Sequence, residues 1–221
     1  MIRPRGHSLK KSPTPGLTRY SRMFILFSMP RTREFDADQA LDSAMRLFWD
    51  KGYADTSMDD LVKATGVSRY GIYGTFGNKR EVFVQALRRY AHGMMGIAMT
   101  DLSKPDASVA EIRAFFEHRL QVAAKDDPRM GCMICNTATQ VAPHDEEIAA
   151  AIRQLFSELA ALFERALKNG QRQGELAKSL DPKATSFYLV GVLQGLAVMA
   201  RAGFTAKEAK SYVATALGTL R

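Results

Sequence analysis

The sequence predicts an all-α protein, and three observations support this fold class. In most segments between residues 37 and 217, apolar residues recur every three or four positions, the spacing that places them on one face of a helix. Helix-start signals, in which Asn, Ser or Thr is followed three residues later by Glu, occur at Asn78, Ser108 and Thr205. Two short helical segments near the N-terminus are joined by a tight turn containing Gly66. Two helices joined in this way are typical of a helix-turn-helix.

The first two predicted helices cover residues 37–51 and 57–64. The first has a small apolar stripe and ends at Gly52; the stripe consists of Ala40, Leu41, Ala44, Leu47 and Phe48. Thr56 and Ser57 both stand where a side-chain oxygen can cap the second helix. We expect one of them to cap it and the other to be available for a phosphate, which helix N-termini favour.

The third predicted helix follows the N-cap Ser68 and ends near Phe76. Ile72 and Phe76 lie four residues apart and should face the core, which leaves an outer face of Arg69, Tyr70, Gly71, Tyr73, Gly74 and Thr75. The two glycines each disfavour a helix by roughly 1 kcal/mol relative to alanine. A close approach of the backbone to a large partner would explain them. The second helix of a helix-turn-helix makes such an approach in the DNA major groove.

A basic cluster is predicted at the same end of this region, from Arg69, Lys79 and Arg80. Lys79 falls in the first turn of a fourth helix, where a cation is unfavourable to the helix dipole. Contact with a phosphate would account for a lysine at that position.

A specific set of residues stands at fixed spacing between positions 44 and 79: Ala44, Leu47, Phe48, Gly52, Tyr53, Thr56, Ser57, Met58, Asp60, Leu61, Gly66, Val67, Ser68, Arg69, Ile72, Tyr73, Phe76 and Lys79. This pattern resembles the DNA-binding domain of the TetR family of bacterial transcriptional regulators. The resemblance implies an all-helical homodimer in which three N-terminal helices bind a palindromic operator. It also implies a larger C-terminal domain that binds a small ligand and dimerises through its last two helices.

The resemblance also implies which residues meet the operator. It places phosphate contacts at Thr56, Tyr73 and Lys79, and base reading at Arg69, Tyr70, Gly71 and Thr75. With the two caps, the predicted DNA-binding set is Thr56, Ser57, Ser68, Arg69, Tyr70, Gly71, Tyr73, Thr75 and Lys79. The chain departs from the usual family pattern at Tyr70, where a small residue is common, and at Gly74 and Thr75, where bulkier residues often stand. The base sequence that is read therefore stays open.

The distribution of charge sets apart a disordered basic extension (residues 1–28). The resemblance implies a DNA-binding domain (29–81) followed by a helical ligand-binding and dimerisation domain (82–221). The extension carries six Lys and Arg residues and no acid, so it supplies +6 of the net charge of +8. Its Pro, Ser and Gly content indicates disorder, or a true start at Met29. The alternative is a basic arm that follows phosphates or a minor groove.

Five further helices are predicted after the proline at 105, over residues 108–124, 131–140, 145–171, 182–202 and 205–217. The helix that starts at Pro182 is apolar nearly all round, and Gly191 and Gly195 lie four apart on it. Such a helix must be covered on all sides, which favours a partner subunit. This helix and the last one resemble the family's dimer-forming four-helix bundle.

Cys132 and Cys135 form a Cys-x-x-Cys pair with three possible roles. They can be small buried hydrophobic residues. The surrounding residues resemble a TetR subgroup that responds to electrophiles or oxidants, which would make Cys132 a sensing thiol. A thiol redox protein is the third possibility. A metal site needs about four ligands, and only His118 and His144 are near in sequence, so neither a metal nor another cofactor is expected.

A predicted inducer pocket lies between helices four to eight, and its Met and Phe content indicates a hydrophobic or aromatic ligand. The proposed lining is Met94, Met99, Phe115, Phe116, Cys132, Cys135, Thr139, Phe156 and Met199. The predicted function is a ligand-responsive repressor, with an activator as the alternative and no enzymatic activity. No run approaches the roughly 18 apolar residues of a membrane span, and residues 23–27 are too short for a signal peptide. We therefore expect a cytoplasmic protein.

Overall fold

The computed structural model describes residues 35–123 and 130–220, apart from the side chains of Ile97, Met99 and Ala123. Every regular element in these ranges is helical. The α-helices are α1 (Ala37–Lys51), α2 (Met58–Thr65), α3 (Arg69–Phe76), α4 (Lys79–Leu102), α5 (Val109–Ala123), α6 (Met133–Gln140), α7 (Glu146–Arg172), α8 (Pro182–Arg201) and α9 (Ala206–Leu217). A 3₁₀ turn, Ala142–His144, precedes α7. The all-α prediction is confirmed, and the predicted extension at residues 1–28 lies outside the described residues.

The first three helices begin and end at the residues that the sequence indicates. The Asp36 carboxylate accepts hydrogen bonds from the Asp38 and Gln39 amides and starts α1. Ser57 and Asp60 form a capping box at α2, in which each side chain satisfies a backbone N–H of the other. Gly66 ends α2 with a φ of 69°, a left-handed conformation that glycine adopts without steric cost. These caps fix the short turn between α2 and α3.

One hydrophobic core joins the first three helices to the rest of the chain. Phe48 of α1 and Phe83 of α4 meet edge to face at 5.1 Å between ring centroids. The same cluster includes Met133 and Ile134 of α6 and Ile148 of α7, all almost fully buried. The helix-turn-helix is therefore packed on α4 and α6 and does not have a separate core.

A second core fills the space between α4, α5, α7, α8 and α9. Phe115, Phe116 and Phe163 are buried and pack on one another at its centre. The Phe116 and Phe163 rings stack at 5.9 Å, and Phe115 meets Phe163 edge to face at 5.4 Å. Such aromatic pairs add stability beyond the area that they bury.

The expectation that no run approaches the length of a membrane span does not hold for α8. By length and composition alone, this helix is long and apolar enough to cross a membrane. One side packs in the second core through Leu189, Leu193 and Leu196. The other side exposes Phe187, Tyr188 and Val198, and the side chains of these three are 47–55% exposed. The apolar composition thus reflects a core face together with a second, uncovered apolar face.

Candidate nucleic-acid interface

Helix α3 presents one face to solvent and buries the other. Ile72 and Phe76 face the core, as predicted, and Ile72 is 1% exposed. Tyr70 is 82% exposed and Tyr73 is 48% exposed, and Arg69 lies beside them on the surface. A helix of eight residues with exposed aromatic and basic side chains has the dimensions and chemistry that fit a major groove.

Arg69 is held by a surface ion pair with a neighbouring helix. Its Nη2 lies 2.7 Å from Oδ1 of Asp59 in α2, and both side chains are more than half exposed. Ion pairs this exposed contribute little to stability. The Arg69 guanidinium can therefore exchange Asp59 for a base edge or a phosphate at small energetic cost.

The two glycines of α3 have different surroundings. A Cβ on Gly71 would lie 2.8 Å from Cγ1 of Val67 and 3.5 Å from Cε1 of Phe35, so a larger residue there would force the Val67 side chain to shift. A Cβ on Gly74 would meet nothing within 4 Å. The expectation that Gly71 belongs to the outer face is therefore corrected, since this residue is half-buried against its own domain. Gly74 alone remains open to the approach of a partner.

The hydroxyl groups before α2 are both used within the protein. Thr56 is 1% exposed, and its Oγ1 donates to the Gly52 carbonyl at 2.6 Å. Ser57 Oγ accepts from the Asp60 amide at 3.1 Å and donates to the Asp60 carboxylate at 2.6 Å. The predicted phosphate contact of the Thr56 hydroxyl does not agree with this geometry, because the group points into the fold.

Ser68 and Thr75 complete the predicted set on α3. Ser68 Oγ accepts from the Gly71 amide at 3.1 Å and caps the helix. Its side chain is exposed, and no described residue accepts its hydroxyl proton. Thr75 is half-exposed near the end of the helix. Both side chains are therefore at least partly open to solvent on α3.

The predicted basic cluster is divided by the fold. Lys79 Nζ lies 4.5 Å from the centroid of the Tyr53 ring and donates to the Ala54 carbonyl at 3.3 Å. Arg80 instead binds Asp145 with Nε at 2.8 Å and Glu147 with Nη2 at 2.9 Å. The assignment of Arg80 to the basic cluster was wrong, since its guanidinium is engaged with acids at the start of α7.

The two cysteines are buried and are not joined by a disulfide. Burial raises the pKa of the Cys135 thiol above its ordinary value, and nearby Cys132 adds to the shift. The Tyr90 hydroxyl lies beside Cys132, and burial raises the pKa of that phenol as well. The Cys135 thiol should therefore react slowly, because the nucleophile is the thiolate. Within residues 35–123 and 130–220, no group of three His, Cys, Asp or Glu side chains could hold a metal ion.

The predicted pocket residues are distributed between the two cores and the surface in the described part of the chain. Met94, Cys132 and Cys135 belong to the core shared with α1, whereas Phe115 and Phe116 belong to the second core. Phe156 packs against both cores. Thr139 is exposed, Met199 is half-exposed and the Met99 side chain lies outside the described atoms. The way the helices pack places these residues in different cores, and the sequence pattern does not contain that packing.

One cleft of about 850 Å³ lies between α1, α4 and α5. Met94 lines it, as do Trp49 and Arg119, which sequence reasoning missed. Trp49 falls just beside the apolar stripe of α1, and Arg119 has no recognisable motif around it. The one available signal was that Trp49 directly follows Phe48 in the sequence, which places Trp49 at the edge of the apolar stripe of α1.

Comparison with known proteins agrees with this architecture. Residues 40–86 match the family described as "Bacterial regulatory proteins, tetR family". Residues 108–216 match the family described as "Tetracyclin repressor-like, C-terminal domain". The two matches together span the helix-turn-helix and most of the helices behind it.

Relatives with related sequences cover most of the chain. It is 32% identical to the uncharacterized HTH-type transcriptional regulator YezE of Bacillus subtilis (strain 168). The aligned region of 162 residues covers 73% of this chain and 84% of YezE. It is 30% identical over 191 residues to the HTH-type transcriptional repressor ComR of Escherichia coli (strain K12), covering 86% and 91% of the two chains.

Solved structures are similar over the same length. A cysteine mutant of the TetR family transcriptional regulator CifR, complexed with 26-bp double-strand operator DNA, is 28% identical. It has a TM-score of 0.75, with 85% of this chain and 98% of that chain covered. Regulatory protein TetR from Rhodobacter sphaeroides shares the fold at 20% identity, with a TM-score of 0.75 and coverage of 84% and 99%. The chain therefore belongs to the TetR family of bacterial transcriptional regulators, and it is a DNA-binding transcriptional regulator.

Proposed function

We propose that the protein is a homodimeric repressor that binds a palindromic operator through α3 and leaves it when a small molecule binds. The observation that carries this proposal is the outer face of α3, where Arg69, Tyr70 and Tyr73 are exposed on a helix anchored in the core. ComR, a relative over most of the chain, is named a repressor. This relationship favours repression over activation.

In this proposal each exposed side chain of α3 has a role set by its position. Arg69, Tyr70 and Thr75 read base edges, since they stand along the outer face. Tyr73 and the Ser68 hydroxyl contact phosphates, and the open surroundings of Gly74 let the backbone approach the groove. Lys79 moves a short distance from the Tyr53 ring to reach a phosphate.

The uncovered face of α8 supports dimerisation. Phe187, Tyr188 and Val198 form an exposed apolar surface on a helix whose other side is buried. A Cβ on Gly191 would meet nothing within 4 Å, so another helix can approach closely there. A second copy of the chain covers this surface. The resulting dimer carries two copies of α3, one for each of two successive major grooves about 34 Å apart.

The buried thiols favour a hydrophobic inducer over an electrophile. Cys132 and Cys135 are each less than one-tenth exposed, and burial raises the pKa of Cys135. These properties also argue against a thiol redox enzyme, so we propose no catalytic activity. A regulator that acts on bacterial DNA works in the cytoplasm, where these thiols are kept reduced.

Operator binding tests the proposal. Fluorescence anisotropy would compare fragments from upstream of the protein's own gene with a shuffled duplex at about 0.15 M salt, where specific sites bind at least about 1,000-fold more tightly. Replacing Arg69 by Gln should weaken specific binding about 10- to 100-fold, the equivalent of about 1 to 3 kcal/mol.

The matched control is Arg153→Gln, which removes the same charge from the exposed surface of α7 and should leave operator affinity unchanged. Equal affinity of the wild-type protein for all duplexes would contradict the proposal. Equal loss of binding in both variants would assign the effect to overall charge.

A further inference from the structure

The cleft between α1, α4 and α5 combines an apolar wall with cationic groups. Trp49 and Tyr90 meet edge to face at 4.9 Å between ring centroids, and Met45 and Met94 line the cleft beside them. Its volume of about 850 Å³ is within the range of small-molecule sites. The wall can hold an aromatic body.

The cleft has an excess of positive charge. Among the described lining residues the one acid is Asp42, and its carboxylate is bound by both Nε and Nη2 of Arg89, at 2.5 and 2.9 Å. Asp42 and Arg89 therefore neutralise each other. Arg88 and Arg119 also line the cleft, and no described acid forms an ion pair with either. Among the described residues, an anion that enters meets two guanidinium groups and no uncompensated carboxylate.

Arg119 has an unused hydrogen-bond donor. Its Nε is buried and has no hydrogen-bond partner in the described part of the chain. A buried donor without an acceptor is unfavourable, and native structures seldom leave one. The guanidinium of Arg119 lines the cleft, and its fork of donors matches carboxylate and sulfonate oxygens.

We infer that this cleft is an effector site for an organic anion with an aromatic body. The Arg119 guanidinium binds the carboxylate or sulfonate, Arg88 adds long-range attraction at the mouth, and the ring lies against Trp49 and Tyr90. This site differs from the pocket predicted between helices four to eight, because α1 of the DNA-binding region forms one of its walls.

The position of Trp49 links the cleft to the orientation of the DNA-binding helices, an argument that rests on the proposed repressor function. Trp49 Nε1 donates to the Met130 carbonyl at 3.0 Å. The same oxygen accepts from Asn136 Nδ2 at 3.0 Å and from Arg201 Nη1 at 2.9 Å. Met130 thereby ties α1 to α6 and to the end of α8. A ligand that moves the indole changes this junction and with it the position of α1.

A matched pair of probes tests the binding site. 8-Anilinonaphthalene-1-sulfonate is an aromatic anion, and N-phenyl-1-naphthylamine is the same ring system without the sulfonate. Trp49 is the single tryptophan of the chain, so its quenching and energy transfer to either probe report binding. We expect the sulfonate to bind at least tenfold more tightly than the neutral amine.

Variants assign the effect to Arg119. Arg119→Gln should weaken sulfonate binding at least tenfold and leave the neutral amine unchanged, and Arg119→Lys should restore part of the affinity. Arg153→Gln on α7 is the matched control and should bind both probes as the wild type does. Thermal melting followed by circular dichroism establishes that each variant is folded. If Arg119→Gln does not fold, Arg119→Lys still tests the site through its weakened sulfonate binding.

The proposed binding site would be contradicted if the two probes bound with equal affinity, or if Arg119→Gln left sulfonate binding unchanged. The effector role is tested separately by operator anisotropy, where saturating sulfonate should lower wild-type affinity at least tenfold and leave Arg119→Gln unaffected. Unchanged operator affinity with the sulfonate bound would overturn that role. Failure of the unliganded protein to select any operator would instead count against the proposed function, and the probe titration would still decide the site.

Discussion

Thr56 and Ser57 are neighbours in sequence and both carry a hydroxyl, yet their side chains occupy different environments. Thr56 is buried and donates to Gly52, whereas Ser57 is exposed and closes the capping box with Asp60. The cap could be predicted because its partner lies three residues away. The burial of Thr56 could not, because it depends on how the turn after α1 packs.

Replacing Thr56 by Val tests this assignment. The variant keeps the shape of the side chain and loses the hydrogen bond to Gly52, which should lower the free energy of unfolding by about 1 to 2 kcal/mol. Urea denaturation measures this change. Operator affinity and its salt dependence should stay as in the wild type, since the hydroxyl does not face DNA.

Ser57→Ala is the companion variant, and loss of its cap should lower stability by about 1 kcal/mol. A Thr56→Val protein that binds operator and shuffled DNA more weakly by the same factor would instead have lost a phosphate contact. That result would contradict the inward assignment.

At the level of elements, the paired glycines of α8 have separate roles. A Cβ on Gly195 would lie 2.4 Å from the Tyr212 hydroxyl of α9, whereas Gly191 has open space. The sequence shows only that the two glycines lie four apart. Which of them packs inside the chain depends on where α9 crosses α8.

Alanine substitutions at the two positions should therefore have opposite effects on the folded subunit. Gly195→Ala should lower the free energy of unfolding by about 1 to 3 kcal/mol, because the packed Tyr212 ring must shift. Gly191→Ala lacks this clash and should gain up to about 1 kcal/mol of helix propensity within the subunit. Denaturation at low protein concentration measures both. Equal stabilisation by the two changes would contradict the tight packing of Tyr212 on α8.

The exposed face of α8 makes a second prediction at this scale. Phe187→Asp places a charge on a side chain that is 53% exposed in the subunit, so the subunit should fold while the dimer dissociates. Sedimentation velocity should show a single subunit of 24.5 kDa in place of a dimer. Tyr70→Asp, the same kind of change at the most exposed aromatic residue of α3, should leave the dimer intact. A dimeric Phe187→Asp protein would place the interface elsewhere.

The helices themselves were largely predictable. Residues 37–51 were predicted as the first helix, and α1 covers Ala37–Lys51. Residues 145–171 were predicted as the longest, and α7 covers Glu146–Arg172 behind the N-cap Asp145. These boundaries depend on local capping chemistry and glycine, which the sequence displays directly.

At the scale of the whole molecule, ion pairs connect the DNA-binding helices to the C-terminal helices. Arg80 at the start of α4 binds Asp145, the N-cap of α7. The Arg80 guanidinium and the Ile148 amide hold the pKa of Asp145 below its ordinary value. Lys51 and Ser57 lower the pKa of Asp60 in the same way.

These shifts predict loss of stability in acid. A carboxylate with a lowered pKa in the folded state stabilises the protein fully above its unfolded pKa of about 4, and this contribution is lost as the pH falls towards the folded-state pKa. The urea midpoint of the wild type should therefore fall as the pH is lowered from about 5 towards 2. Asp145→Asn keeps an N-cap oxygen and loses the titrating charge, so its midpoint should fall less over that window.

Glu158→Gln is the control and should follow the wild type, since among the described residues its carboxylate is hydrogen-bonded to Gln154 alone, on the exposed side of α7. An Asp145→Asn protein with the full wild-type pH dependence would show that the Arg80 pair does not contribute.

Tertiary arrangement limits what the sequence predicts about the effector site. Trp49, Tyr90 and Arg119 come from three helices, and they meet because α1 and α5 both line a cleft beside the middle of α4. The predicted pocket grouped residues by type and sequence position. The fold distributes them between two cores instead, since neighbouring apolar residues on one helix face different partners.

Hydroxyl-radical footprinting of the purified protein on its own upstream region tests most directly the claim that a dimer presents α3 twice. We expect two symmetric protected segments whose centres lie about 34 Å, one helical turn, or a multiple of it apart. Tyr70→Ala should weaken protection in both segments equally, since both copies of α3 carry this residue. A single protected half-site, or a pattern that Tyr70→Ala does not alter, would contradict the account.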